Sequence, residues 1–571
     1  MKKIDNILGF FGVYNALLIE LIDLGIFIGW KVGVKEIIMS DLACQILLGF
    51  IPALAAIFHF LKNIRRKRNG HNRFGIGDCI GFINTNEDET AEYAKATYPE
   101  VDRKMKSKKP QDLVMGKQGK YYVNIPIERD GINAFISGTP GSGKSVMIQN
   151  WLLTQLHKKE LHNNKALSYN FFLVDVDGLI YKKIYPIVGE YDSEIYSELP
   201  LKIIEISNRN SYGWDVYYRL RGDNVTDTVI LKTVSDIAES IVPESGDNPY
   251  FCVNARKILS GILVWGIYKK LDFVQTVQLI TRNNLDELLL KICTEATSNA
   301  WNIVTDKLAS FQGKATNESI QDVEATLKQY IEFLASYPDI VYALQTNRNK
   351  ASPADMNDMN TSVIFSIETS MINVYQPLFR LVVMQMLRHI ESDFSINDER
   401  NSIFIIDEAA RCGKMDDLCN TIAVARKYHA SIALLFQDMA QFNDIYGKEK
   451  AKIIQNLCEL KIFLSGSGDK ETVEYLDEIA GDYVAEKKSY QKSGLFQMQN
   501  DAKYTEDRRP IISGKRLMTL REKNEMIIIY FGKYYRIKKV YYFNDRKLKK
   551  IYHKVQEVHQ IDRKTINFME E

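Results

Sequence analysis

The eight residues Gly138-Thr139-Pro140-Gly141-Ser142-Gly143-Lys144-Ser145 constrain this chain more than any other stretch. Gly-x-x-x-x-Gly-Lys-Ser is the pattern of a loop whose backbone N–H groups curl inward around phosphate. Such a loop works where a buried strand feeds it and a helix leaves it, because the helix N-terminus adds a favourable dipole. Both flanks fit. Asn133-Ala134-Phe135-Ile136-Ser137 is β-rich and enters the loop, and an amphipathic pattern begins near Ser145. Residues 138–145 are therefore the expected cradle for ATP. Lys144 would neutralise the β- and γ-phosphates, and Ser145 would ligate Mg²⁺. A chance Gly-rich turn would have to explain both flanks by coincidence.

The complementary half of such a site is a strand ending in acids. Ile403-Phe404-Ile405-Ile406-Asp407-Glu408 has that form. Asp407 is expected to hold the Mg²⁺ shell and Glu408 to polarise the attacking water. Phosphoryl transfer needs an oriented nucleophile and neutralised charge more than covalent chemistry. Alone, this strand end is commonplace; beside a P-loop it points to hydrolysis. The apolar run 432–436 ends in Gln437-Asp438. Gln437 reads either as a sensor of the γ-phosphate or as part of a strand-end cap. Asp175, closing 171–174, reads either as a site residue or as a strand-end carboxylate.

Short β-branched and apolar runs alternate with helical patterns along the body of the chain, the signature of a parallel α/β sheet. Strands are expected at 134–136, 171–175, 202–206, 363–367, 403–406, 432–436, 461–464 and 526–531. The last turns through Gly532-Lys533 into 534–543 as a hairpin. Between the third and fourth runs the period changes. Ile230, Val234, Ile237 and Ile241 recur at helical spacing, as do Val323, Leu327, Ile331 and Leu334. The reading is a RecA-like α/β P-loop ATPase domain in two pieces, 71–222 and 345–571, interrupted by an all-α insert at 223–344. Residues 71–109 are polar and mixed, either linker or a small folded lead-in. Lysine and arginine number 74 against 72 acids, a formal net charge of +2, so nucleic-acid binding cannot be argued from overall charge. None of the seven cysteines forms a C-x-x-C pair, and the eight histidines show no metal-ligand spacing, which suits reduced thiols in a cytosolic body.

Residues 1–70 read as an anchor of two spans. Residues 7–30 are largely apolar, and 42–61 contain no Asp, Glu, Lys or Arg. At about 1.5 Å per residue such a run crosses the roughly 30 Å hydrocarbon core of a lipid bilayer. The run Lys62-Asn63-Ile64-Arg65-Arg66-Lys67-Arg68 follows directly and is expected to stay on the cytoplasmic side. Both termini and the large domain would then be cytoplasmic, at the plasma or inner membrane. A cleaved signal peptide fits two long spans poorly; a buried hairpin of a soluble protein is the other alternative. Glu20 and Asp23 share a face of the first span. They mark either helix–helix packing in an oligomer or a span that sits shallow.

The order of these pieces resembles the type IV secretion coupling proteins, the TraG/TraD-like ATPases of bacterial conjugation. Several motifs carry the likeness. Asp407-Glu408-Ala409-Ala410-Arg411-Cys412-Gly413-Lys414-Met415 looks like the family's Asp-Glu with its Gly-Lys/Arg-Met turn. Ala423-Val424-Ala425-Arg426-Lys427-Tyr428 is similar to the helix carrying its arginine. Phe436-Gln437-Asp438-Met439-Ala440-Gln441 with Ile445-Tyr446-Gly447 is similar to its Gln-Asp…Gln…Tyr-Gly segment. Glu471–Tyr475 and Arg509-Pro510-Ile511-Ile512 with Leu517 also match. Two departures stand out: Asp175-Val176-Asp177-Gly178 replaces an Asp-Pro-Lys-Gly-like run, and Trp214-Asp215-Val216 stands where Asn-Pro is common. No long C-terminal substrate-docking tail is evident.

The resemblance implies a homohexamer on the inner face of the membrane. It would accept a relaxase-bound single DNA strand and drive it toward a type IV secretion channel. Arg426 is the candidate arginine acting on a neighbouring subunit's nucleotide, with Arg411 and Arg380 as runners-up and an ordinary surface salt bridge as the alternative. Three other functions stay open: a channel-assembly ATPase, an FtsK/HerA-type translocase, and a nucleotide-switched receptor for protein cargo.

Overall fold

The computed structural model describes residues 98–555 except 127–130, 162–168, 185–200, 210, 223–224, 244–248, 312–317, 346–348, 358–360, 395–400, 416, 465–468, 491–501 and 513. The two expected spans lie outside the described residues. Among the described residues no helix is long and apolar enough to cross a membrane. The chain divides into two compact units. The larger, Lys95–Ala485 with Glu506–Glu571, holds the nucleotide motifs.

Its frame is a 12-stranded sheet. The strands are β1 (Lys106–Ser107), β2 (Leu113–Gln118), β3 (Tyr121–Ile125), β4 (Ala134–Ser137), β5 (Tyr169–Val176) and β6 (Leu201–Glu205). After the short β7 (Gly213–Trp214) and β8 (Lys350–Ala351), which pair with each other, come β9 (Ser362–Ile367), β10 (Asn401–Ile406), β11 (Ala430–Phe436) and β12 (Leu460–Phe463). β13 (Asp482–Tyr490) and β14 (Ala502–Pro510) form a separate two-stranded sheet, and β15 (Glu525–Tyr530) and β16 (Lys533–Lys539) complete the large one. The order is β1-β3-β2-β16-β15-β12-β4-β11-β10-β5-β9-β6. From β12 to β6 every pairing is parallel; from β12 to β1 every pairing is antiparallel.

The parallel half explains its own sequence. Ser362-Val-Ile-Phe-Ser-Ile367 and Ala430-Ser-Ile-Ala-Leu-Leu-Phe436 are buried at every position. Strands covered on both faces read as unbroken apolar runs. The pleat divides them: Phe135, Phe172, Val174 and Phe404 join one core, while Ile136, Phe171, Leu173 and Ile405 join the other. The second core is capped by helix α1 (Lys144–Leu161) through Met147, Ile148, Trp151 and Leu152.

Each expected strand is present; β1, β7, β8, β13 and β14 were not expected, and two further differences stand out. β2 and β3 escaped the sequence reading, although Gly119 between them has φ 62°, as a tight turn requires. Their mixed polar and apolar residues, such as Lys117-Gln118 and Asn124, fit an antiparallel half rather than a doubly covered strand. The expected strand 534–543 stops at Lys539. The hairpin turn itself is as expected: Phe531 and Gly532 have φ 46° and 74°, the signature of a tight primed turn.

Among the described residues, seven α-helices lie between β7 and β8. They are α3 (Asp227–Ile241), α4 (Pro249–Tyr268), α5 (Phe273–Arg282), α6 (Leu285–Ser298), α7 (Asn302–Leu308), α8 (Glu318–Ser336) and α9 (Pro338–Leu344), a one-turn helix α2 (Tyr181–Ile184) having come earlier. Thr226 caps α3, and Asp272 with Gln275 forms a capping box on α5. Ile237 and Ile241 on α3, and Val323, Leu327, Ile331 and Leu334 on α8, are fully buried. Their core runs without a break into the first face of the sheet. The helices therefore do not separate from the sheet as a compact unit.

Candidate nucleotide site

The P-loop sits at the carboxyl edge of the parallel strands, where ligands of open α/β sheets bind. β4 delivers it from between β11 and β12. Phe135 on β4 stacks against Phe436 on β11 at 5.5 Å, and Phe442 closes on Phe436 at 4.5 Å. This aromatic cluster fixes where the loop leaves the sheet. Gly138 N–H then donates to the Phe436 carbonyl at 3.1 Å, and Ser142 N–H donates to Thr139 O at 3.0 Å. A Cβ on Gly138 would meet Ser142 Oγ at 2.6 Å and Leu464 Cβ at 2.8 Å, so only glycine fits. Gly143 has φ +100°, a conformation that L side chains rarely adopt. Lys144 opens α1, with Ser145 half-buried in its first turn.

Three of the candidate residues converge. Lys144 is buried and its Nζ lies 3.5 Å from Glu408 Oε1 and donates to Phe436 O at 3.3 Å. Gln437 Nε2 lies 3.4 and 3.2 Å from the two Glu408 oxygens. Glu408 adopts φ 53°, ψ 46° just beyond β10. A non-glycine residue in this left-handed region carries strain, and the bend aims its carboxylate back at Lys144. Asp407 beside it is buried, and its carboxyl is pushed up to about 6, first by burial and then by the Glu408 charge, with Lys144 opposing. A buried acid held in that state favours a cation partner. With the hydroxyl of Ser145, oxygen ligands of this kind suit Mg²⁺.

The two readings of the strand-end pair divide between its members. Asp438 caps helix α12 (Met439–Tyr446), accepting from Gln441 N–H at 2.8 Å, while Gln437 faces Glu408. Asp175 is fully buried and accepts from Tyr181 N–H at 2.7 Å and Ile180 N–H at 3.0 Å. That geometry favours the strand-end reading. Burial nonetheless raises its carboxyl to about 7, partly offset by those N–H groups and reinforced by the neighbouring Asp407 charge.

The arginines lie elsewhere. Arg426 sits in the turn before β11, at the opposite edge of the sheet from the P-loop of its own chain, paired with Glu459 at 2.6 Å. Arg411 is half-buried in the turn after Glu408. Arg380 is buried on helix α10 (Ile372–Asp393) and donates to the carbonyls of Ser240, Ile241 and Cys412. It holds the end of α3 in place and has no guanidinium to offer a neighbour.

Sequence reasoning missed what packs against the loop from the C-terminal segment. Lys539 Nζ donates to Ser142 O at 2.7 Å. Burial, with Arg521 adding, brings its ammonium down to about 8. An Arg521 terminal nitrogen lies 3.6 Å from where a Gly141 Cβ would be, and Tyr541 Cε1 lies 3.6 Å from that of Gly143. Nearly four hundred residues of chain separate these groups from the loop. The Gly532 turn announces a hairpin and says nothing of where it docks.

The fold and the site define a mixed α/β protein with a P-loop and an Asp-Glu strand end at the carboxyl edge of one sheet. The chain belongs to the family described as Type IV secretory system Conjugative DNA transfer, whose model matches residues 223–565. Protein VirD4 of Agrobacterium fabrum is 22% identical over 217 residues, covering 38% of this chain and 32% of that protein. Conjugal transfer protein TraG of Rhizobium radiobacter is 24% identical over 213 residues, 37% of this chain and 33% of that one. The match thus spans about a third of the length of these relatives. Among solved structures, the unbound conjugative coupling protein TrwBdeltaN70 aligns with a TM-score of 0.57 at 16% identity, over 77% of this chain and 90% of that one. TrwB in complex with ADP and Mg²⁺ aligns equally well, with a TM-score of 0.57 at 16% identity and the same coverage. The fold is therefore that of the TrwB coupling protein.

Proposed function

We propose that this chain is a membrane-anchored ATPase that couples a relaxase-bound single DNA strand to a type IV secretion channel and drives its transfer. The observation that carries the reading is the meeting of Lys144, Glu408 and Gln437 at the carboxyl edge of the sheet, in a chain of the conjugative DNA transfer family. Residues 138–145 bind the phosphates of ATP, with Ser145 and Asp407 holding Mg²⁺. Entry of the phosphates draws Lys144 away from Glu408. The freed carboxylate orients water for attack, and Gln437, hydrogen-bonded to it, registers the change. Residues 1–70 anchor the chain in the bilayer with both termini and the large domain cytoplasmic. Residues 223–344 act as the insert domain of a homohexamer, and Arg426 serves the neighbouring subunit.

The test is ATP turnover by the solubilised full chain with and without single-stranded DNA. Turnover stimulated by DNA, falling steeply with salt, is expected, because backbone contacts release counterions. Lys144→Ala should bring turnover to background while leaving the fold intact. A response to protein cargo, with none to DNA, would favour a receptor instead.

A further inference from the structure

Beyond β16 the chain turns away from the sheet and lays two stacked aromatic rings beside the P-loop. Tyr541 and Phe543 have ring centroids 5.4 Å apart and an interplanar angle of 20°. Tyr541 is held in place: its hydroxyl donates to Asn524 Oδ1 at 2.7 Å, and its ring edge faces Gly143. Phe543 is 49% exposed, with the Tyr542 ring edge-on to it at 5.3 Å. The segment is tied to the loop and to α1 just before the turn. Lys539 donates to Ser142 O, and Asn150 Nδ2 on α1 donates to Val540 O at 2.8 Å. A rigid ring at the phosphate loop, backed by a second ring that keeps a face in water, is costly to leave uncovered and suits a flat π-system.

We infer that Tyr541 and Phe543 form the base subsite of the nucleotide site, stacking the purine of the nucleoside triphosphate whose phosphates occupy residues 138–145. The inference rests on the ATP-binding reading above. Tyr541 is the fixed ring and Phe543 the covering one. Because stacking reads a π-face rather than hydrogen-bonding edges, the subsite tolerates either purine. Lys539 positions the loop through Ser142 and touches no base.

The experiment compares equilibrium binding of ATP, GTP and inorganic triphosphate, each with Mg²⁺, to the solubilised full chain and to Phe543→Ala, Tyr541→Ala and Phe543→Leu. Losing a base–aromatic contact should weaken ATP and GTP by roughly tenfold, in line with stacking energies, and leave triphosphate affinity unchanged. Phe543→Leu should recover little of the loss. Phe543→Trp should retain affinity and show tryptophan quenching on ATP but not on triphosphate. Equal ATP affinity in wild type and Phe543→Ala, or a parallel loss of triphosphate, would overturn the subsite. So would a change confined to oligomeric state, which would make the rings a subunit contact. Failure of the wild type to bind either ATP or triphosphate would instead defeat the ATPase reading itself.

Discussion

Glu408 concentrates the energetics of the site at one residue. Its left-handed backbone costs about 1 kcal/mol, and the return is a carboxylate on Lys144 and Gln437. Glu408→Gln keeps the shape and loses the charge. It should bind ATP and lose turnover by about 10²–10⁴-fold, the range for a general base; collapse of nucleotide affinity instead would make Glu408 a structural group. Glu408→Gly removes the strain and should unfold no earlier than wild type in a denaturant titration, while also losing turnover. Lys539 makes a prediction about pH. Its folded pKa is depressed to about 8 by burial, against about 10.4 for a free lysine. Between those values the unfolded chain keeps a proton that the folded chain has released, so this group's contribution to stability rises with pH. Wild-type stability relative to Lys539→Met should therefore increase from pH 7 to 10. A difference that stays flat across that range would show that the ammonium is not buried.

At the scale of elements, α10 joins the helical run to the strand that ends in Asp407. Two of its arginines grip α3. Arg380 satisfies the carbonyls of Ser240 and Ile241, and Arg388 reaches Asp236, Glu239 and Asp417, the residue before helix α11 (Leu418–Ala425). Arg380 also touches Cys412 O in the turn after Glu408. Arg380→Met would leave those buried carbonyls unpaired, at a cost of roughly 3 kcal/mol. Hydrogen exchange should accelerate across Asp227–Ile241 before it does in the sheet. Uniform acceleration through both would mean that α3 and the sheet unfold as one.

At the scale of the whole molecule, the placement of Arg426 decides how subunits would cooperate. It lies across the sheet from its own P-loop, so any contact it makes with transferring phosphate belongs to another copy of the chain. Specific activity should rise with concentration as rings form. Mixing Arg426→Ala with Lys144→Ala subunits should restore part of the activity lost in each, because one mixed interface pairs an intact loop with an intact arginine. Absence of rescue in verified mixed assemblies, with concentration-independent wild-type turnover, would leave Arg426 to its salt bridge with Glu459.

The sequence by itself determined the parallel strands, the P-loop and the acid pair, because each is written in contiguous residues. A doubly covered strand must be apolar throughout, a phosphate cradle must be Gly-rich, and a period of 3.6 marks α3 and α8. It left Asp175 and Gln437 with two readings each. Their residue types are the same in either role, and only the tertiary structure shows their partners, Tyr181 N–H for one and the Glu408 carboxylate for the other. It did not show that Arg380 is buried, because that burial depends on where α3 ends in space. It was silent on Lys539, Arg521 and Tyr541 at the loop. Hydrophobic periodicity specifies which face of an element is buried, not which distant element buries it. That choice belongs to the antiparallel half of the sheet, which carries 521–543 back to a loop formed almost four hundred residues earlier.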